Sequence, residues 1–176
     1  MLRVLGRATS ISVRKVLWTC VELNLDHERE DCADTRPWNP TGQMPVLIDQ
    51  HGPLWESNTI CRYLAAGSAL LPASPRARAM VEQWMDWQAT DLNSAWRDAF
   101  MGLVRADPRF ADPARIAAGV AGWNATMGVL EDWLTRTGAF VTGNDFTLAD
   151  IVLGLSVNSW RMTPMGRPDM PAIAAY

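Results

Sequence analysis

Lysine is nearly missing from this 176-residue chain: of its 16 basic residues only Lys15 is a lysine. A bias towards arginine codons is the simplest account. Histidine is almost as scarce. His27 and His51 stand alone, and no H-x-x-x-H or H-E-x-x-H spacing exists to hold a catalytic metal, so no metal is expected. The cysteines, Cys20, Cys32 and Cys61, are odd in number, far apart and without a C-x-x-C pair. That pattern excludes a disulfide framework and a zinc site, and a reducing cytoplasm is the expected compartment. Basic charge is not in excess: the formal net charge is −3, which argues against a broad nucleic-acid footprint while leaving room for one local cationic pocket and a small acidic ligand. No apolar run approaches the roughly 20 residues that cross a bilayer, and Met1 to Gly6 does not begin a signal peptide, so neither membrane nor secretion is expected. Glycine-rich phosphate loops, internal repeats and low-complexity segments are also missing.

What is present belongs to a globular protein. Hydrophobic residues make up 48% and charged residues 20%, too apolar for a disordered chain. The length suits one domain or two small ones. Nine tryptophans are too large and amphipathic to be spent on exposed positions, so they are expected in a core, a subunit interface or a pocket for apolar ligands.

Leu2 to Gly6 reads as a strand, Thr9 to Ser12 as a hydroxyl-bearing loop, and Val13, Val16, Leu17, Cys20 and Leu23 as one face of a helix. A second short strand is expected at His27 to Asp31, then a loop over Arg36 to Gly42. Pro45 to Asp49, the turn Gln50-His51-Gly52-Pro53 and Leu54-Trp55 read as a hairpin, after which Glu56, Ser57 and Asn58 open another helix. The order β-α-β then β-β-α describes a small α/β layer over residues 1–70, with a linker at 71–75. Residues 76–176 read as helix throughout. Val81, Trp84, Met85, Leu92, Trp96, Ala99 and Leu103 form one broad stripe, and Ile116, Val120, Trp123, Met127, Leu130 and Leu134 form the cleanest helical spacing. Thr147 and Asp150 make a capping-box variant before a further apolar helix.

Three features of the α/β half could converge at one end of its sheet: the hydroxyls of Ser10 and Ser12, the Met44-Pro45 bond, and the Glu56-Ser57 pair. Each alone has an ordinary structural explanation, as a helix cap or a strand start. In order and spacing, however, Gly6-Arg7-x-x-Ser10-x-x-Val13-x-Lys15-Val16-Leu17-Trp18, Asn39-Pro40-x-Gly42-Gln43-Met44-Pro45-Val46-Leu47 and Trp55-Glu56-Ser57-Asn58-x-Ile60-x-x-Tyr63-Leu64 resemble the glutathione transferase N-terminal domain. Trp84-Met85-Asp86-Trp87-Gln88 and Thr147-Leu148-Ala149-Asp150 extend the resemblance into the second half.

The resemblance is to serine-type, bacterial members of that family. It implies a thioredoxin-like N-terminal domain (β-α-β-α-β-β-α, with the second helix short or missing), an all-helical C-terminal domain and a cytoplasmic homodimer acting in detoxification. It implies glutathione as co-substrate and a small electrophile as the other substrate. Ser10 is then the first choice as donor to the glutathione thiolate, with Ser12 the runner-up and Thr9 third. No tyrosine or cysteine stands in this loop to replace them. Met44-Pro45 is expected to be cis, with the Met44 backbone pairing with the cysteinyl part of glutathione. Ser57 is expected to receive the γ-glutamyl carboxylate, Glu56 to lie near its ammonium, and Gln43 to reach the backbone or glycine end. Asp86, Trp87, Trp96 and Phe100 are candidates to border the electrophile pocket.

Two departures stand out. Only seven residues separate Asp31 from Asn39, where relatives carry a longer segment that helps hold the glycine carboxylate, and Arg36 or Trp38 are candidate substitutes. Relatives also continue past the position of Tyr176 through at least one more helix. The expected function is glutathione conjugation. The alternative is a non-catalytic binding or interaction protein of the same fold, while a thioredoxin-like oxidoreductase is disfavoured because Ile11 and Ser12 stand where a reactive cysteine is needed.

Overall fold

The computed structural model describes residues 1–176. β1 (Leu2–Leu5) lies inside a four-stranded sheet of order β2-β1-β3-β4. β2 (His27–Glu30) runs parallel to β1, and a parallel step requires a crossover, which α1 (Ile11–Glu22) supplies. β3 (Val46–Asp49) runs antiparallel to β1 and turns directly into β4 (Gly52–Trp55). Asp49 closes this turn by accepting from the His51 amide at 2.7 Å, and Gly52 takes the left-handed conformation the reversal needs, φ +106°. α2 (Ser57–Leu64) packs against α1, burying Ile60 and Cys61 where α1 buries Val16 and Cys20.

This is the expected thioredoxin-like layer without its second helix. Between β2 and β3 the chain instead makes a turn in which the amides of Trp38 and Asn39 both donate to the Thr35 carbonyl at 2.9 Å. Only fifteen residues connect Glu30 to Val46, and the turn at Thr35–Asn39 and the approach to Pro45 take up that length, leaving little for a packed helix.

The chain divides into two units, Met1–Ala79 and Met80–Tyr176, and the division falls inside α3 (Pro75–Trp87). The single stripe expected from Val81 to Leu103 is interrupted. After α3 comes a π-helical turn over Gln88–Leu92, then the short helices α4 (Asn93–Ala95) and α5 (Arg97–Leu103). The turn inserts an extra residue into the helical period, so Leu92 is fully buried, and the buried Gln88 amide donates to Ser156 at 3.1 Å. A 3₁₀ turn (Pro108–Phe110) precedes α6 (Pro113–Thr137), which Asp112 caps and left-handed Gly138 ends. Trp123, Met127, Leu130 and Leu134 are buried as their spacing predicts.

α7 (Leu148–Met162) is the buried centre of the second unit. Its capping residue Asp150 binds four donors: the Thr147 amide (2.8 Å) and hydroxyl (2.9 Å), the Val141 amide (3.0 Å) and the Tyr176 hydroxyl (2.9 Å). α8 (Pro171–Ala175) is held in turn by Glu131, which accepts from the amides of Ala172 (3.0 Å) and Ile173 (2.8 Å).

Candidate active site

Strand register decides which loops meet. Leu5 pairs with Val46, and Val46 pairs with Trp55, so these residues form one row across three strands. The chain leaves that row as Gly6 on β1, enters it from Met44-Pro45 on β3, and leaves it as Glu56 on β4. The three sequence features therefore lie along one end of the sheet.

Close approach there depends on Gly6. At φ +143° it has a conformation that side chains rarely adopt, and a Cβ would stand 2.6 Å from Val13 Cγ2 and 3.1 Å from Met44 Cβ. One position with no side chain thus lets β1, the first turn of α1 and Met44 come together. The Arg7 amide donates to Met44 Sδ at 3.4 Å, tying the Ser10 loop to the cis-proline loop.

Ser10 is the N-cap of α1. Its backbone is extended (φ −76°, ψ 125°), and its half-buried hydroxyl oxygen accepts from the Val13 amide at 3.5 Å. A hydroxyl that accepts in this way keeps its own proton free to donate, at the positive end of a helix. Ser12 lies two residues on, half-buried inside the first turn of α1, whereas Ser10 precedes the helix. Thr9 is exposed in the preceding turn.

The Met44-Pro45 peptide is cis. Its approach is fixed from behind: the Gln43 carbonyl accepts from Asn39 Nδ2 at 2.7 Å and Thr35 Oγ1 at 3.0 Å, and the Gln43 amide donates to Thr41 Oγ1 at 3.2 Å. Asn39 and Thr35 are buried while the Gln43 side chain is exposed. Sequence reasoning gave Thr35 no part in this site and read Asn39 only as a motif residue. No local pattern marks either residue, because their burial in an otherwise exposed loop arises only in the folded chain. Arg36 pairs with its neighbour Asp34 at 2.8 Å, and Trp38 is exposed.

At the third loop, Glu56 is exposed with φ +72° and its side chain does not cap α2. The first turn of α2 therefore begins without a side-chain acceptor from its own N-cap, and Ser57 is buried beneath it. The same turn is tied to α1 by Lys15, whose buried ammonium donates to Asn58 Oδ1 at 3.1 Å. Burial pushes the thiols of both Cys20 and Cys61 up to about 11, so neither is a thiolate near neutral pH.

In the second unit, Trp96 and Phe100 meet edge to face at 5.2 Å, and Trp96 also donates to Asn93 at 2.9 Å. Trp87 instead meets Trp84 edge to face, at 5.2 Å and 82°. Asp86 is exposed beside it. A cavity of about 490 Å³ lies at the far end of the sheet, lined by Leu2, Asp49 and Tyr63 among others, and none of the candidate site residues borders it. No group of three or more His, Cys, Asp or Glu side chains is placed to hold a metal ion.

Residues 9–66 match the family model of the glutathione S-transferase N-terminal domain. Glutathione S-transferase GstB of Escherichia coli is 38% identical over 167 residues, covering 87% of this chain and 80% of that protein. The chain belongs to the glutathione S-transferase family. The theta class transferase of Xanthomonas axonopodis pv. citri, solved with glutathione bound, superposes with a TM-score of 0.91 at 34% identity, over 99% of this chain and 89% of that one. Elongation factor 1-gamma of Trypanosoma cruzi is 29% identical over 160 residues, 88% of this chain but 36% of that protein. Within this transferase fold, the matched residues 9–66 contain Ser10, the cis-proline loop and the start of α2.

Proposed function

We propose that this glutathione transferase activates its co-substrate through Ser10 and conjugates it to a small, hydrophobic electrophile. The observation that carries the reading is the row Leu5–Val46–Trp55, which aligns Ser10's loop, cis Met44-Pro45 and Glu56-Ser57 at one sheet end. A free thiol with a pKa of about 8.5 is mostly protonated at neutral pH. The Ser10 hydroxyl, donating to the sulfur, and the N-terminus of α1 favour the thiolate, and the proton passes to solvent. The sulfur then forms a bond to the electrophilic carbon. In substitution a leaving group departs with its electron pair; in addition the carbon side takes a proton from water.

The backbone of Met44 pairs with the cysteinyl portion. The first turn of α2, with Ser57, receives the γ-glutamyl carboxylate, Glu56 faces its ammonium, and Gln43 lies towards the glycine end. The same reading makes the protein a homodimer of the cytoplasm, and no helix is long and apolar enough to cross a membrane.

The short segment between Asp31 and Asn39 favours a second reading, a non-catalytic module of the same fold. Calorimetry with glutathione and conjugation of a generic aryl halide separate the two. The enzyme reading expects saturable binding and turnover, with Ser10→Ala losing about a hundredfold in kcat, the range for removing one donor to a developing anion. Parent protein with neither glutathione binding nor turnover, and Ser10→Ala indistinguishable from it, would favour the module instead.

A further inference from the structure

Lys15 is the one lysine of the chain, and it is buried at 5% exposure on α1. Lysine rarely tolerates such burial. Its ammonium reaches across to the first turn of α2, where it donates to Asn58 Oδ1 at 3.1 Å, one residue beyond Ser57. Glu56, Cys61 and Arg62 lie within electrostatic range. Burial draws the ammonium down to about 8, eased by the attraction of Glu56 and deepened by Arg62, so it remains largely charged at neutral pH, where the Cys61 thiol is neutral.

This placement opposes stability twice. Desolvation penalises the charge, and the positive end of a helix repels a cation. An unbranched apolar residue would fill the same volume between α1 and α2 with neither penalty. What a cation at this point does favour is an anion on the outer side of the same turn, and the turn is the one that receives the γ-glutamyl carboxylate in the function proposed above.

We propose that Lys15 is a positioning residue for glutathione: its ammonium orients Asn58, fixes the first turn of α2 and adds positive charge beneath the carboxylate site at Ser57. The inference rests on the glutathione reading of that site. Lys15 does not reach the thiol chemistry, so its loss weakens affinity and spares the transfer step.

The test compares parent and Lys15→Met protein. S-methylglutathione, which has no thiol to ionise, is titrated by calorimetry, and conjugation rates are measured with glutathione and with cysteinylglycine, which lacks the γ-glutamyl carboxylate. The expected result is a Kd for S-methylglutathione about tenfold weaker in the variant, the scale of removing one nearby unit charge at intermediate dielectric. kcat at saturating glutathione should stay within about twofold, and kcat/KM with cysteinylglycine should be the same in both proteins. Should Lys15→Met fail to fold, Asn58→Ala removes the acceptor instead and is expected to show the same split. An unchanged Kd in a folded variant of a parent that binds overturns this inference alone. Equal losses in Kd, kcat and the cysteinylglycine rate overturn it in favour of a merely structural lysine. A parent that does not bind S-methylglutathione overturns the glutathione reading and this inference with it.

Discussion

Gly6 has no side chain because Val13 and Met44 occupy the space a Cβ would need. Gly6→Ala combines a disfavoured φ with a 2.6 Å contact, so it is expected to destabilise the first unit by about 2 kcal/mol or more, as strained and overpacked sites do. Urea denaturation measures this, and the same variant should lose glutathione affinity because the Ser10 and Met44 loops are pushed apart. Ser10 and Ser12 were equally visible as hydroxyls before a helix, and sequence spacing alone left both open. Their difference is conformational: Ser10 lies outside α1 in extended backbone, whereas Ser12 is already within its first turn. Lys15 illustrates the opposite limit. Its rarity was legible at once, but its burial and its bond to Asn58 depend on how α1 packs on α2, which no local pattern encodes.

At the scale of elements, locally specified pieces were read well. The cap of α7 is the clearest: Thr147 and Asp150 predict it by spacing, and the structure adds Val141 and Tyr176 as further donors from distant segments. Burial, the neighbouring Asp150 charge and the hydrogen bond between them keep the Tyr176 phenol protonated. Asp150→Ala strands buried donors, so it is expected to cost about 2–4 kcal/mol, since each buried donor left unsatisfied costs about 1–3 kcal/mol. Thermal unfolding measures it; a loss below about 1 kcal/mol, the worth of an ordinary neutral hydrogen bond, would show that the network contributes nothing beyond a simple cap. The broken stripe between Val81 and Leu103 was not legible. A π turn keeps apolar residues at nearly helical spacing, and only the tertiary partner of Gln88, Ser156, shows where the extra residue is absorbed.

Over the whole molecule, the α/β half and the helical half followed from their periodicities and turn residues. The convergence of three loops did not, because it depends on the register that pairs Leu5 with Val46 and Val46 with Trp55. That register carries the functional account, since it places a hydroxyl donor, a cis-proline backbone and a helix start along one edge. Its central claim is that Ser10 stabilises the thiolate of bound glutathione. The direct measurement is a spectroscopic pH titration of the thiol of enzyme-bound glutathione in parent, Ser10→Ala and Ser12→Ala proteins. The account predicts a bound thiol titrating well below the free value of about 8.5 in the parent and in Ser12→Ala, and returning towards that value in Ser10→Ala. A bound thiol that titrates alike in parent and Ser10→Ala, or that moves only in Ser12→Ala, would contradict it.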